Sequence, residues 1–468
     1  MKIVWIVLVL IFSGILLFYG LGNNALTDYD EATYGHVVNE TLKSGQIATL
    51  KHSVSGNWFE KPPLYFWLAM FSQKIFPNPE FALRFPSALF GLLSIVLTML
   101  IVFYISKNYY VVALSGAVLA TTPIFIEGAR QVRLDIPVTA AILFSFYCFL
   151  RGVEKPKWLL GVGIGMAIGF MFKSVIGFFV FPLIIIWSII HKNWRWIKNP
   201  YTWIGGIAML VLLLPWHLYE SVQFGKQFWN EYLVRHIFRR FSQSGISGNI
   251  SLVEYIKFLF LFGAPWIIAF IAGLSKILVY FKRRDELAKN ILTSVCIAIF
   301  IVIIFAISKT RLFYYILPMF PFVALSIVLV FFDIYQKNPK TKQKWMIVVF
   351  STIFALGFIN TIYAVAHKQE YLQINQLVAN EEKEVGLLLA KETDEIKTYV
   401  FNYPYHETIR YYSDGKSLEK IKSEQELKES FFVVMQKPFF DASSFPPALA
   451  NRLRPIYTGK TVILLRFD

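Results

Sequence analysis

"IVWIVLVLIFSGILLFYGLGNNALTDYDEATYG" spans residues 3–35. An unbroken apolar run leads almost directly into three acids, Asp28, Asp30 and Glu31. A run of that length reads as a helix that crosses a bilayer, with its polar flank at the interface. The same pattern recurs along all 468 residues, which are 56% hydrophobic, 16% charged and of mean hydropathy +0.53. A soluble chain carries about 25% charged residues, so a multi-pass membrane protein is expected.

Apolar runs fall at about 3–21, 82–105, 109–127, 135–151, 158–172, 174–190, 201–220, 253–274, 290–307, 312–333 and 345–366. The fifth and sixth are short and separated only by Lys173 and its neighbours, so a re-entrant pair is one reading of them. Alternate loops are short and basic: Lys107; Arg151, Lys155 and Lys157; Lys192, Arg195 and Lys198; Lys276, Lys282, Arg283, Arg284 and Lys289; Lys337, Lys340, Lys342 and Lys344. The positive-inside rule makes those loops cytoplasmic. The net charge of +16 is thereby spent on topology and anionic headgroups, and no nucleic-acid partner is expected. Cys148 and Cys296 fall inside spans and imply no disulfide framework. There is no zinc-type Cys/His spacing and no glycine-rich phosphate loop.

This orientation leaves three segments outside: residues 22–81, residues 221–252 and everything after about 367. The expected domains are a transmembrane one over 1–367 and a small α/β one over 368–468. In the latter "IKTYVF", "FFVVMQ" and "KTVILLRF" read as strands. "QINQLVANEEKEVGLLLAKE", "HETIRYY" and "SEQELKES" read as helices.

Ionisable residues beside lipid are expensive and mark function or a partner. Asp28 and Glu31 have the spacing of a capping box for the amphipathic stretch "EATYGHVVNETLKSG"; that device does not account for Asp30. In "NWFEKPPLYFW" (57–67) the double proline forces Lys61 out of helical conformation, which fixes Glu60 and Lys61 beside an aromatic belt. "ARQVRLDIPVT" (129–139) sets Arg130, Arg133 and Asp135 at the mouth of a span. "YLVRHIFRRF" (232–241) puts Arg235, His236, Arg239 and Arg240 on the outer side. "SKTRLFYYILPMFP" (308–321) adds Lys309 and Arg311. Outer arginines run against the charge rule and suit an anion, since Arg binds phosphate bidentately. The bland alternatives are a basic helix on headgroups, an Arg–Asp surface pair and a snorkelling lysine. Glu60 and His236 are candidates to share a divalent metal, zinc, manganese or magnesium.

"DYDEATYGHVVNETLKSG", "NWFEKPPLYFWL", "ALRFPSALFG", "RLDIPVTAA", "GFMFKSVIGFF" and "SKTRLFYYILPMFPFVAL" together resemble, in order, the membrane glycosyltransferases of the GT-C superfamily. The nearest likeness is to bacterial 4-amino-4-deoxy-L-arabinose lipid A transferases and protein O-mannosyltransferases. The resemblance implies about 11–13 spans, amphipathic helices in the outer loops and a small outer C-terminal domain. It implies a bacterial inner-membrane enzyme acting on the periplasmic face. That enzyme moves a sugar, with inversion, from a polyprenyl-phosphate donor to a lipid or protein acceptor. Carried over residue by residue, the family's Asp-Glu pair falls on Asp30 and Glu31, and its second acid on Asp135. Lys61, with Arg133, Arg239, Arg240, Arg311 and Tyr315, falls on the lipid-phosphate positions. Thr33 stands where many aminoarabinose transferases carry Arg, and Trp58 where Tyr is usual, which points to a different substrate. The rival reading is a flippase for a lipid-linked anionic sugar. It predicts charges at mid-membrane and broken helices in paired halves, whereas these acids lie in loops.

Overall fold

A computed structural model describes residues 2–239, 251–308, 311–367, 370–392, 396–401, 406–420, 430–437 and 452–467. Arg240, Lys309 and almost all of "SEQELKES" lie outside the described residues. The chain divides into two compact units. One comprises residues 1–19, 59–65 and 84–366; the other comprises residues 20–58, 66–83 and 367–468. Most of the first outer loop, grouped with the spans in the sequence reading, therefore packs with the C-terminal residues.

The first unit is helical and membrane-spanning. Among the described residues seven helical stretches, Pro156–His191 counted as one, are long and apolar enough to cross a bilayer, or nine if each of two bent pairs is one span. The bent pairs are Tyr109–Ala120 with Pro123–Ala129, at 71°, and Leu252–Gly263 with Trp266–Leu274, at 106°. The shorter first helix, Lys2–Phe18, and the second leg of a hairpin complete the apolar runs of the sequence.

That hairpin occupies Pro156–His191. Leu159–Lys173 is α-helical, Ser174–Phe179 is a 3-10 turn and Val180–His191 is α-helical again. In a straight helix Gly169 and Gly177 would stand about 12 Å apart. Instead a Cβ on Gly177 would lie 2.1 Å from the Phe170 nitrogen, and one on Gly169 would lie 3.0 Å from Gly177 Cα. The Phe170 and Phe178 rings meet at 4.8 Å. The chain turns back at Ser174, whose φ is +52°, and Lys173 sits at the tip. The two short apolar runs are the two legs.

Helix Pro200–Trp229 is interrupted at Gly225, where φ is +51° and only glycine is comfortable. The chain then enters a π-helical segment, Asn230–Arg239. At the other end of the bundle Asp333 is 5% exposed. It accepts two bonds from Arg283, at 2.7 and 3.0 Å, and one from Tyr280 at 3.1 Å.

The second unit is an α/β assembly. A short hairpin, β1 (Lys51–His52) and β2 (Gly56–Asn57), belongs to the first outer loop. The C-terminal sheet contains β3 (Lys397–Phe401), β4 (Leu418–Lys420), β5 (Phe431–Gln436), β6 (Leu453–Thr458) and β7 (Val462–Phe467), in the order β4-β3-β5-β7-β6. β3 runs parallel to β4 and β5; β7 is antiparallel to β5 and β6. Alternation along β5 sends Phe432 and Val434 to one face, with Val385, Leu389 and Ile409. Phe431, Val433 and Met435 go to the other, with Tyr399, Ile463 and Leu465. β4 and β6 were not read from the sequence. β6 contains Pro455 and lies at a sheet edge, where proline is tolerated.

The hairpin makes a direct prediction. Gly177→Ala forces a methyl group into the Phe170 backbone, and overpacking of this kind costs about 1–3 kcal/mol. Thermal unfolding in detergent should show a lowered midpoint, while Gly206→Ala, where a Cβ meets open space, should not.

Candidate functional site

The EKPP turn belongs to the transmembrane unit. The prolines end the turn, and helix Leu64–Ile75 starts immediately after them. Lys61 is held 8% exposed, with its ammonium 3.8 Å from the Glu60 carboxylate. The π-helical segment delivers His236 to the same acid: Nδ1 lies 3.5 Å from Glu60 Oε2, and Nε2 lies 3.7 Å from Glu231. Phe59 anchors this turn against Phe224 and Phe228, with ring centres 5.2 and 5.5 Å apart.

Asp135 opens helix Asp135–Glu154 and is 7% exposed. Its partner is Lys173 at the hairpin tip, with Nζ–Oδ1 at 2.5 Å. The same ammonium stands 4.5 Å from the centre of the Tyr315 ring. Arg133 lies flat on Tyr314, 3.3 Å from ring centre, and its Nε donates to Gln131 at 2.6 Å.

Two bridges bring these clusters together. Tyr65, just after the EKPP turn, shares a hydrogen bond with Ser87 at 3.0 Å. Ser87 Oγ in turn donates to the Arg133 carbonyl at 3.0 Å and accepts from the Arg133 N–H at 3.1 Å. On the other side Ser174, next to Lys173, donates to Tyr232 Oη at 2.7 Å, and Tyr232 is one turn before His236. Glu60, Lys61, His236, Arg133, Asp135, Lys173 and Tyr315 are thus gathered around one end of the bundle.

The remaining sequence candidates make these contacts. Arg130 donates to the carbonyls of Leu16, Leu17 and Tyr19 at 2.5, 3.2 and 2.9 Å, which satisfies the open end of the first helix. The expected Arg–Asp pair at the mouth of this span is therefore replaced by Asp135–Lys173. Arg235 pairs with Glu231 at the surface, at 3.0 Å. Arg311 donates to the Ala306 carbonyl at 2.9 Å. Arg239 closes the π-helical segment. Lys173 was quoted in the sequence but not assigned to the site; a lone lysine between two short apolar runs was its signal. Among the described residues no group of three His, Cys, Asp or Glu side chains is arranged for a metal. Glu60 and His236 supply two donors of the four that zinc takes.

Asp30 and Glu31 lie in the second unit, in the first turn of helix Asp30–Ser44. The capping box is built differently from the sequence expectation. Glu31 Oε2 accepts from Thr27 N and Oγ1 at 3.1 and 3.0 Å, so Thr27 replaces Asp28 as its partner. Asp28 instead accepts from Thr408 N and Oγ1 at 2.8 and 3.0 Å. Thr33 is 3% exposed and donates to the Tyr29 carbonyl at 2.7 Å. Further along the helix, His36 Nε2 accepts from the Ser53 N–H at 3.3 Å, and its ring stands 4.6 Å from that of His52. His52 Nε2 lies 3.4 Å from Glu407, which is also paired with Arg410. Burial, then the neighbouring His52, pushes His36 down to about 3, in accord with an Nε2 that accepts. Burial works against ionisation of Glu407, but His52 and Arg410 outweigh it and bring its carboxyl to about 2.

A family model described as dolichyl-phosphate-mannose-protein mannosyltransferase matches residues 60–219. The chain is 26% identical to an uncharacterised protein of Aquifex aeolicus, over 93% of this chain and 91% of that one. It is 28% identical to an undecaprenyl phosphate-alpha-4-amino-4-deoxy-L-arabinose arabinosyl transferase of Serratia proteamaculans, over 67% of this chain and 57% of that protein. A transferase of the same description from Pseudomonas fluorescens is 27% identical, over 66% and 56%. The chain spans a little over half the length of these named relatives. The crystal structure of ArnT from Cupriavidus metallidurans bound to undecaprenyl phosphate superposes with a TM-score of 0.77. It covers 99% of this chain and 98% of its own, at 17% identity. The chain has the GT-C fold. The crystal structure of the Archaeoglobus fulgidus oligosaccharyltransferase tethered to an acceptor peptide gives 0.61 over 93% of this chain and 69% of that one, at 12% identity. The family match opens on Glu60 and takes in Lys61, Arg133, Asp135 and Lys173.

Two predictions follow from this geometry. Lys173→Ala strands Asp135 without its ion partner and should cost about 3–5 kcal/mol; adding Asp135→Asn should recover much of the loss in thermal unfolding. The second concerns Asp28. Burial raises its carboxyl to about 7, against the hydrogen bonds from Thr408, whereas an unfolded Asp titrates at about 3.9. The folded state therefore holds a proton that the unfolded state has released. This stabilising contribution is complete below about pH 4 and is lost as pH rises to about 7. Asp28→Asn should flatten that part of the stability–pH profile.

Proposed function

We propose that this chain is a glycosyltransferase of the bacterial inner membrane that moves a sugar from a polyprenyl phosphate to a lipid or protein acceptor on the outer face. The observation that carries the reading is Lys61. A nearly buried ammonium, fixed by two prolines and flanked by Glu60 and His236, stands at the end of a GT-C bundle. The undecaprenyl phosphate held by the structurally similar ArnT supports a donor of that class.

In this reading the acceptor oxygen attacks the anomeric carbon from the face opposite the phosphate. The bond from that carbon to the phosphate oxygen breaks, its electron pair stays with the polyprenyl phosphate, and the sugar configuration inverts. Lys61 neutralises charge growing on the leaving phosphate, a preorganised electrostatic effect. Arg133, Arg239, Arg240, Arg311 and Tyr315 contribute to the phosphate and headgroup positions. Asp30 takes the proton of a hydroxyl acceptor, a step worth about 10²–10⁴-fold; for an already ionised lipid phosphate it orients instead. Glu31 supports Asp30 through the start of its helix, and Asp135 fixes Lys173. A divalent metal, zinc, manganese or magnesium, on Glu60 and His236 is part of the proposal, and no step depends on it. The buried position of Thr33, where an Arg is usual, supports an acceptor or head group different from those of the aminoarabinose enzymes.

The test is transfer from a lipid-linked sugar donor, with product read by mass spectrometry. Lys61→Ala and Asp30→Asn should each lower the rate at least about 100-fold at normal expression. Near-normal transfer by both variants would overturn the site. A flippase would yield no modified acceptor at all.

A further inference from the structure

The hairpin helix Leu159–Lys173 separates the Asp135–Lys173 pair from the opposite end of the bundle by about 22 Å. At that opposite end the starts of two helices lie side by side. A Cβ on Gly205 would stand 2.9 Å from the Leu159 carbonyl, and one on Gly163 would stand 1.9 Å from the Gly205 carbonyl. Two 3-10 turns, Pro156–Trp158 and Arg195–Lys198, run into these two helix starts. They bring Lys155, Lys157, Lys192, Arg195 and Lys198 to one rim, all exposed.

The second turn is rigid. Trp196 points inward; its Nε1 donates to Ser188 at 2.9 Å and its ring stands edge-on to Phe149 at 5.9 Å. Thr202 donates to the Trp196 carbonyl at 2.6 Å, and Trp203 Nε1 to the Ile197 carbonyl at 2.9 Å. This inward pinning leaves Trp194, Ile197 and Trp203 facing out at 44%, 39% and 65% exposure. The nearby carboxylates are already engaged: Glu154 accepts from Tyr104 at 3.0 Å, and Glu286 pairs with His191 and Lys289.

We propose that this rim is a binding surface for an anionic phospholipid of the leaflet opposite the acid–base cluster. Indole rings settle at headgroup depth, and five cations around them attract a phosphate that carries no amine of its own. A zwitterionic lipid brings a compensating cation and gains far less. The inference is independent of the proposed sugar transfer.

The test uses the full-length protein in neutral detergent, titrated with phosphatidylglycerol or phosphatidylcholine and read by native mass spectrometry. Wild-type protein should retain phosphatidylglycerol preferentially. Replacing Lys157→Gln, Arg195→Gln and Lys198→Gln together should weaken that retention by roughly tenfold or more and leave phosphatidylcholine unchanged. The single variants Lys157→Gln and Lys198→Gln should show smaller losses in the same direction, with thermal unfolding as wild type. Trp194→Phe with Trp203→Phe should reduce quenching of protein fluorescence by a brominated phosphatidylglycerol. Equal retention of the two lipids by wild type, or unchanged phosphatidylglycerol retention in the triple variant, would overturn the proposal. So would displacement of the lipid by millimolar inorganic phosphate alone.

Discussion

An ammonium and a carboxylate, 2.5 Å apart and nearly out of water, hold the membrane unit's polar end in place. Neither Asp135 nor Lys173 is cheap to bury, and each is tolerable only because the other is there. Asp135 begins one span, and Lys173 occupies the turn between two legs of another. The pair therefore fixes a hairpin tip against a helix start. From this junction the rest of the cluster is reached in single steps: Tyr315 beneath the ammonium, Tyr232 through Ser174, and Arg133 two residues before the acid. Remove the pair and the surrounding residues lose their common reference point.

The second unit solves a related problem without a bilayer. The first outer loop buries a small aromatic cluster of its own, Tyr34, Trp58 and Phe66, and several of its buried polar atoms look to the C-terminal residues. Thr408 donates two bonds to Asp28, and Tyr412 Oη accepts one from the Leu26 N–H. Glu80 takes Tyr412 and Lys383, and His52 takes Glu407. The helix that begins with Asp30 and Glu31 is consequently set by side chains more than 350 positions away in the chain. Proton occupancy pulls this network in two directions. Asp28 favours lower pH, whereas His36 and Glu407, both depressed, favour higher pH.

The spans were legible because hydropathy acts on long runs and ignores detail. Strands β3, β5 and β7 were legible for the same reason, each a short apolar run between polar stretches. β6 was not, because Arg454 and Pro455 disguise an edge strand whose outward side needs no apolar residues. The polar cluster was legible in part. EKPP announced itself, since two prolines after an acid–base pair constrain the backbone in a way that chance packing does not require. Asp28 was misassigned because the capping spacing is local, whereas its true partner, Thr408, is remote. Arg130, placed only at the mouth of a span, closes the end of the first helix, and Lys173, read only as the break between two apolar runs, is a buried ion-pair partner. Charge type in a sequence says what a residue needs; only the tertiary fold says who provides it.

The hairpin also bears on how the chain crosses the membrane. Its legs, 15 and 12 residues of α-helix, are each shorter than the roughly 20 residues that span a bilayer alone. Leg by leg the stretch falls short of a full crossing, and it is the close approach of Gly169 and Gly177 that makes the two legs one folded-back body with Lys173 at its tip.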